Sequence, residues 1–130
     1  MRARFRIKNE QGQTATEFAL VLPVLAVLLF GVIQFGITFN NFETLTDSTR
    51  AGARKAAVSR QASDPVGACV QAVRTSATDL KQSDLDVTCS STWQPTADVS
   101  VTATYPYSIS LLGLVVKSGR LTSTTTERVE

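Results

Sequence analysis

The chain has 130 residues, 43% hydrophobic and 18% charged, with a formal charge of +2. That length leaves room for one small domain beside any membrane segment. Arg2, Arg4, Arg6 and Lys8 against Glu10 leave +3 in the first twelve residues, so residues 13–130 carry −1, which argues against a basic nucleic-acid-binding body. There is no His, which removes the commonest general base and the commonest transition-metal ligand. No nucleophile-and-base pattern, metal cluster or phosphate-binding glycine loop is visible, so the expectation is a non-enzyme with no cofactor and no small-molecule substrate.

Residues 1–12 read as a basic cytoplasmic leader. From Phe18 to Phe39 the run FALVLPVLAVLLFGVIQFGITF has no charge in 22 residues, and as a helix it rises roughly 33 Å, enough to cross a hydrocarbon core. A cleaved secretory signal has a shorter apolar region followed by small residues, whereas Asn40, Asn41 and Phe42 follow here. The cations before the span, against Glu43 and Asp47 after it, orient the N-terminus inward. The chain is therefore read as a single-pass protein of the cytoplasmic membrane with an extracytoplasmic C-terminal part. Pro23 lies inside the span, where a bend is expected near residues 19–23. Gly31, Gln34, Gly36 and Thr38 give the outer half a smaller and more polar surface, as at helix–helix contacts or in a lone anchor.

Glu17 stands at the edge of this span, on the side where cations are favoured, and burying it unpaired would cost a few kcal/mol. A cut after Gly12 would make Gln13 the new N-terminus and Glu17 the fifth residue, about one helical turn from a cationic amine. The amine of a neighbouring subunit would then neutralise Glu17.

The helix is expected to run from Thr14 to about Arg60, roughly 70 Å, because Phe42, Leu45, Thr49, Gly52, Ala53 and Ala56 recur at spacings of three and four. Ala51, Gly52, Ala53, Ala56 and Ala57 would let another helix or a sheet approach closely. Arg50, Arg54, Lys55 and Arg60 fit a solvated face better than a membrane or nucleic-acid patch. The stretch from Gly12 to Val58 resembles the TadE-like minor pilins, or pseudopilins, of tight-adherence (Tad/Flp) pilus systems, within the broader type IV prepilin pattern. The likeness is carried by the junction glycine, EFALVLP from Glu17 to Pro23, the Phe35-Gly36 pair and the R-A-G-A-R segment from Arg50 to Arg54. The alternating VSVTATYPY and the final TERVE weakly resemble that family's close.

The resemblance implies that a membrane-embedded aspartic prepilin peptidase cuts between Gly12 and Gln13, Gly12 being required there because a side chain would obstruct the peptidase. It implies that Glu17 and Phe18 serve in assembly or in recognition between subunits, that the partners are other pilin-like subunits, the assembly machinery and the lipid bilayer, and that the chain acts in pilus assembly and adhesion. The family often has an acid where this chain has Gln34, so a role for a second intramembrane carboxylate is not carried over. The alternative reading is an unprocessed single-pass anchor displaying a small interaction module.

Residues 62–130 are expected to form an α+β head on the helical stalk (residues 13–61). Ser63-Asp64-Pro65 signals a second helix ending by about Leu80, with Asp64 as N-cap and Pro65 in its first position. A short strand is predicted from Asp84 to Cys89, a clearer one from Asp98 to Tyr105 that Tyr105-Pro106-Tyr107 ends or bends, and a third from about Gly119 to Val129, together a small antiparallel sheet. ISLLGLVV, residues 109–116, is too short to span a membrane and is expected in the core rather than on a contact surface. Cys69 and Cys89 enclose 19 residues, a poor zinc spacing, and are expected to pair as a disulfide outside the cytoplasm. Asp79, Asp84 and Asp86 lack the frame of a calcium loop and read as a solvated turn. Trp93, in a Ser/Thr-rich loop, is expected to fold back over the core rather than mark a contact site.

Overall fold

A computed structural model describes residues 10–130. The cations Arg2, Arg4, Arg6 and Lys8, expected to form a leader, lie outside the described residues. Helix α1 occupies Glu10–Ala57, 48 residues, about 72 Å at the standard rise. It continues as one helix through Pro23. Its polar side chains turn inward to its own backbone: Thr16, Thr38 and Thr46 each donate to the carbonyl four residues earlier, at 2.9, 3.0 and 2.9 Å. This is how hydroxyls are accommodated along an apolar helix. Phe18 to Phe39 presents apolar side chains all round, none of them buried against the rest of the chain.

The helix begins four residues before the expected Thr14 and stops at Ala57 rather than near Arg60. Its end is taken over by competing bonds. Ser59 donates through its hydroxyl to the Lys55 carbonyl and through its N–H to that of Ala56, and the Glu130 N–H reaches the Ala57 carbonyl at 3.0 Å. Last-turn carbonyls are thus satisfied without another helical turn.

Helix α2, Pro65–Ser76, starts as its residues demand: the Asp64 carboxylate accepts from the Gly67 N–H at 2.9 Å, and Pro65 opens the first turn. It ends four residues short of Leu80. Arg74 donates to the carbonyls of Gln82 and Leu85, while the Gln82 amide donates to that of Ala77 at 2.8 Å, drawing the following chain across the helix end.

Strands β1 (Asp86–Ser90), β2 (Asp98–Leu111) and β3 (Leu114–Arg128) form an antiparallel sheet in the order β1-β2-β3. The architecture is α+β: one long apolar helix, one short helix and three strands. β1 starts two residues later than expected. β2 does not end at Tyr105; it continues through Pro106, which pairs with Arg120. β1 pairs with β2 only as far as Thr104, so from Tyr105 onward one edge of β2 is open and a residue without an N–H is tolerated. Ile109 to Val116 is likewise not core. It forms the far end of the β2–β3 hairpin, with Leu112, Leu114, Val115 and Val116 exposed. A two-stranded arm that outruns β1 has no second layer to cover that end.

The core gathers Leu45, Ala53 and Ala56 from α1, Cys69 and Val73 from α2, Leu80 and Leu85 from the connection, and Val99, Val101 and Ala103 from β2, with Val129 closing it. Gly52 permits the closest approach: a Cβ there would lie 2.3 Å from the Val73 Cγ2 and 3.4 Å from both the Cys69 carbonyl oxygen and the Val101 Cγ1. Val99, Val101 and Ala103 alternate inward along β2, as period-two burial requires. Trp93 packs half-buried against this cluster, as a core cover.

Gly52→Leu is expected to destabilise the head by about 1–3 kcal/mol through overpacking that outweighs the gain in helix propensity, read as a lowered Tm of the full chain in detergent. The Cys69–Cys89 disulfide, at a sequence separation of 20, ties α2 to β1. Replacing both cysteines with Ala is expected to lower stability by roughly 3 kcal/mol, read by denaturant unfolding of the same preparation.

Candidate functional site

The junction predicted to carry function lies in the first two turns of α1. Gly12 and Gln13 belong to the opening turn, where backbone N–H groups have no intrahelical acceptor. Glu17 follows one turn after Gln13, and Phe18 begins the uncharged run. All four residues are exposed.

The Gln13 side-chain Nε2 donates to the Glu17 Oε1 at 3.0 Å, and the Thr16 hydroxyl donates to the Gly12 carbonyl oxygen at 2.9 Å. Glu17 therefore has an amide partner within its own helix. This partner is additional to the neighbouring subunit's amine expected for Glu17, and Gln and Glu at i and i+4 is the local pair that signals it. The Gly12 carbonyl belongs to the peptide bond joining Gly12 to Gln13, so the bond of interest has its oxygen engaged and its flanks open to solvent.

Further along α1, one face is committed to the head. Thr49 is fully buried, with its hydroxyl 3.0 Å from that of Thr125 and 3.3 Å from that of Ser123. These partners stand 74 and 76 residues away, and no local pattern announces them. Arg50, Arg54 and Lys55 are exposed, and Arg50 pairs with Asp47 at 3.3 Å on the solvent side. Such a pair contributes at most about 1 kcal/mol, in keeping with a solvated face.

The three acids do not converge. Asp86 is taken by the Arg120 guanidinium, which also donates to the Thr104 hydroxyl at 3.0 Å, while Asp84 accepts from Ser83. Among the described residues no group of His, Cys, Asp or Glu is arranged to hold a metal ion. Cys69 and Cys89 are brought together as a disulfide and are structural in their setting between α2 and β1.

The chain therefore offers a chemically simple N-terminal junction on one exposed helix, that helix long and apolar enough to cross a membrane, and a stapled head. No curated protein and no solved structure matches the chain. A family model described as TadE-like protein matches residues 12–54. The match runs from the junction glycine to the last residue of the R-A-G-A-R segment, so that this N-terminal third of the chain is similar to TadE-like proteins.

Proposed function

We propose that this chain is a structural subunit of a tight-adherence pilus system, a pseudopilin or minor pilin whose leader is removed between Gly12 and Gln13 by a prepilin peptidase. The observation that carries the proposal is the order of features at the start of the TadE-like segment: glycine, four residues, an edge carboxylate, then an uncharged helix. Residues 1–12 serve as a leader held in the cytoplasm by their cations. Residues 13–61 are span and stalk, and residues 62–130 are the extracytoplasmic head, in a compartment where the disulfide persists. The cytoplasmic membrane is the site of residence before assembly.

The physical chemistry of the junction supports processing. A peptidase needs its substrate locally extended, and the opening turn of a helix is the part that frays most readily. Hydrolysis breaks the bond between the Gly12 carbonyl carbon and the Gln13 nitrogen. Water supplies the oxygen of the new Gly12 carboxylate, and Gln13 keeps an ammonium group. In the shortened helix Glu17 stands near the first turn, where a carboxylate is favoured by roughly 0.3–1 kcal/mol. The ammonium group offers Glu17 a charged partner in addition to the Gln13 amide, on the same chain or on a neighbouring subunit. Phe18 then leads the apolar surface that packs between subunits. The partners are the peptidase, other pilin-like subunits, the assembly machinery and the bilayer, and the role is in pilus assembly and adhesion.

Intact-mass measurement of the protein from its own host is expected to find an N-terminus at Gln13, and Gly12→Leu is expected to retain the leader. An intact leader in wild-type cells with an active prepilin peptidase would favour instead an unprocessed anchor displaying the head. Glu17→Gln is expected to leave membrane insertion unchanged and to reduce piliation, scored by fractionation and by electron microscopy of the same cells. Normal piliation would remove Glu17 from the assembly mechanism.

A further inference from the structure

We infer that the tip of the β2–β3 hairpin, Leu112 to Val116, is a second lipid contact of this chain and inserts into the interface of the same bilayer that α1 crosses. The inference rests on the reading of α1 as a membrane span and goes beyond the proposed role in pilus assembly.

The direction of the hairpin follows from its contacts with α1. The Glu130 N–H meets the Ala57 carbonyl, and Thr49 meets Ser123 and Thr125. From Ala57 back to Thr49 the helix covers about 12 Å, while its partners move from Glu130 to the neighbourhood of Thr124, about 20 Å of extended chain. β3 is thus inclined to α1 and, followed backward, runs toward the apolar span. From Thr124 to Leu114 it continues for about 33 Å. At the same inclination about 20 Å of this lies along the helix axis. Phe39, where the uncharged run ends, is about 15 Å from Thr49 on the same axis. The tip therefore reaches the level of the outer end of the span, displaced to one side of it. The Tyr105 hydroxyl accepts from the Lys81 N–H, in the connection that follows α2, so beyond Tyr105 the arm leaves the head.

The residues at the tip suit lipid better than water. Leu112, Leu114, Val115 and Val116 are 71, 74, 64 and 63% exposed. Leu112 and Gly113 form the two-residue turn, with φ of 52° and 84°. A turn with positive φ at both positions ordinarily takes Asn, Asp or Gly, and a leucine there is strained. An apolar residue at the one position where polar turn chemistry is favoured points to an apolar surrounding. About 10 Å up the arm comes Lys117 and about 17 Å up comes Tyr107, the latter with its ring across Gly119. These residue types anchor at headgroup depth. From Tyr105 to Leu121 the charged residues are Lys117 and Arg120; Arg120 is paired with Asp86, and Lys117, nearer the tip, suits an anionic phospholipid surface.

The test uses the full chain with Leu112→Cys, the native cysteines being paired, labelled with an environment-sensitive fluorophore. The protein is reconstituted in vesicles of phosphatidylethanolamine and phosphatidylglycerol, with and without brominated acyl chains. Gln94→Cys, in the exposed loop before β2, and Val32→Cys, in the span, are labelled in parallel. The label at 112 is expected to shift to the blue, to lose emission to the brominated lipid and to resist aqueous iodide, as at 32 and unlike at 94. A label at 112 that behaves like the one at 94 while 32 is quenched by lipid overturns the tip contact and leaves the span reading standing. Protection at 112 that is insensitive to brominated lipid and disappears on dilution into excess vesicles overturns it in favour of a contact between protein subunits. Failure of lipid quenching at 32 overturns the span reading and the tip contact together.

Discussion

The close approach at Gly52 is the constraint on which the rest of the head depends. A side chain at this position would collide with Val73 on α2 and crowd Val101 on β2. Its absence lets a single turn of the long helix serve as the floor of the core. Ala53 and Ala56 extend the same low surface, and both are fully buried. Small residues expose little area of their own, yet they bring two layers within van der Waals distance, and dispersion falls off steeply with any gap. The disulfide from Cys69 to Cys89 then fastens α2, which rests on that floor, to β1, the strand beside β2.

This arrangement divides α1 into two regimes. Its C-terminal third is one-sided, with Leu45, Thr49 and Ala53 inward and Asp47, Arg50 and Arg54 in solvent. None of residues 18–39 is buried and none is charged. A helix apolar all round must be surrounded by something apolar, and a bilayer or a sheath of other helices meets that requirement equally well. The same surface can therefore be solvated by lipid in the membrane and by sister helices in an assembly. The hydroxyl-to-carbonyl bonds of Thr16 and Thr38 leave few polar groups to be satisfied in either setting.

The head makes use of its other face quite differently. β1 stops where β2 still has seven residues to run, so the hairpin becomes an arm instead of part of a layered core. Its end is apolar without being buried, because no second layer reaches it. The direction of the arm, back toward the span, follows from β3 running in the same sense as α1, with Thr49 beside Ser123 and Thr125 and Ala57 beside Glu130.

Much of this was legible in the residues. The length of the uncharged run, the junction from Gly12 to Glu17, the Asp64-Pro65 helix start and the alternation at Val99, Val101 and Ala103 all depend on neighbours within a turn or a few strand residues. Such local signals carry their own physics: helix rise, capping and pleat period need no partner from elsewhere. What tertiary structure decided was where elements stop and what covers them. α1 ends at Ala57 because Glu130 arrives there, α2 ends at Ser76 because Arg74 and Gln82 hold the next loop across it, and Pro106 is admitted because β1 has already ended. The apolar run at Ile109–Val116 reads as core by composition and lies outside it by topology. Hydrophobicity states that a segment should leave water, while only the position of the other layers determines whether it meets protein when it does.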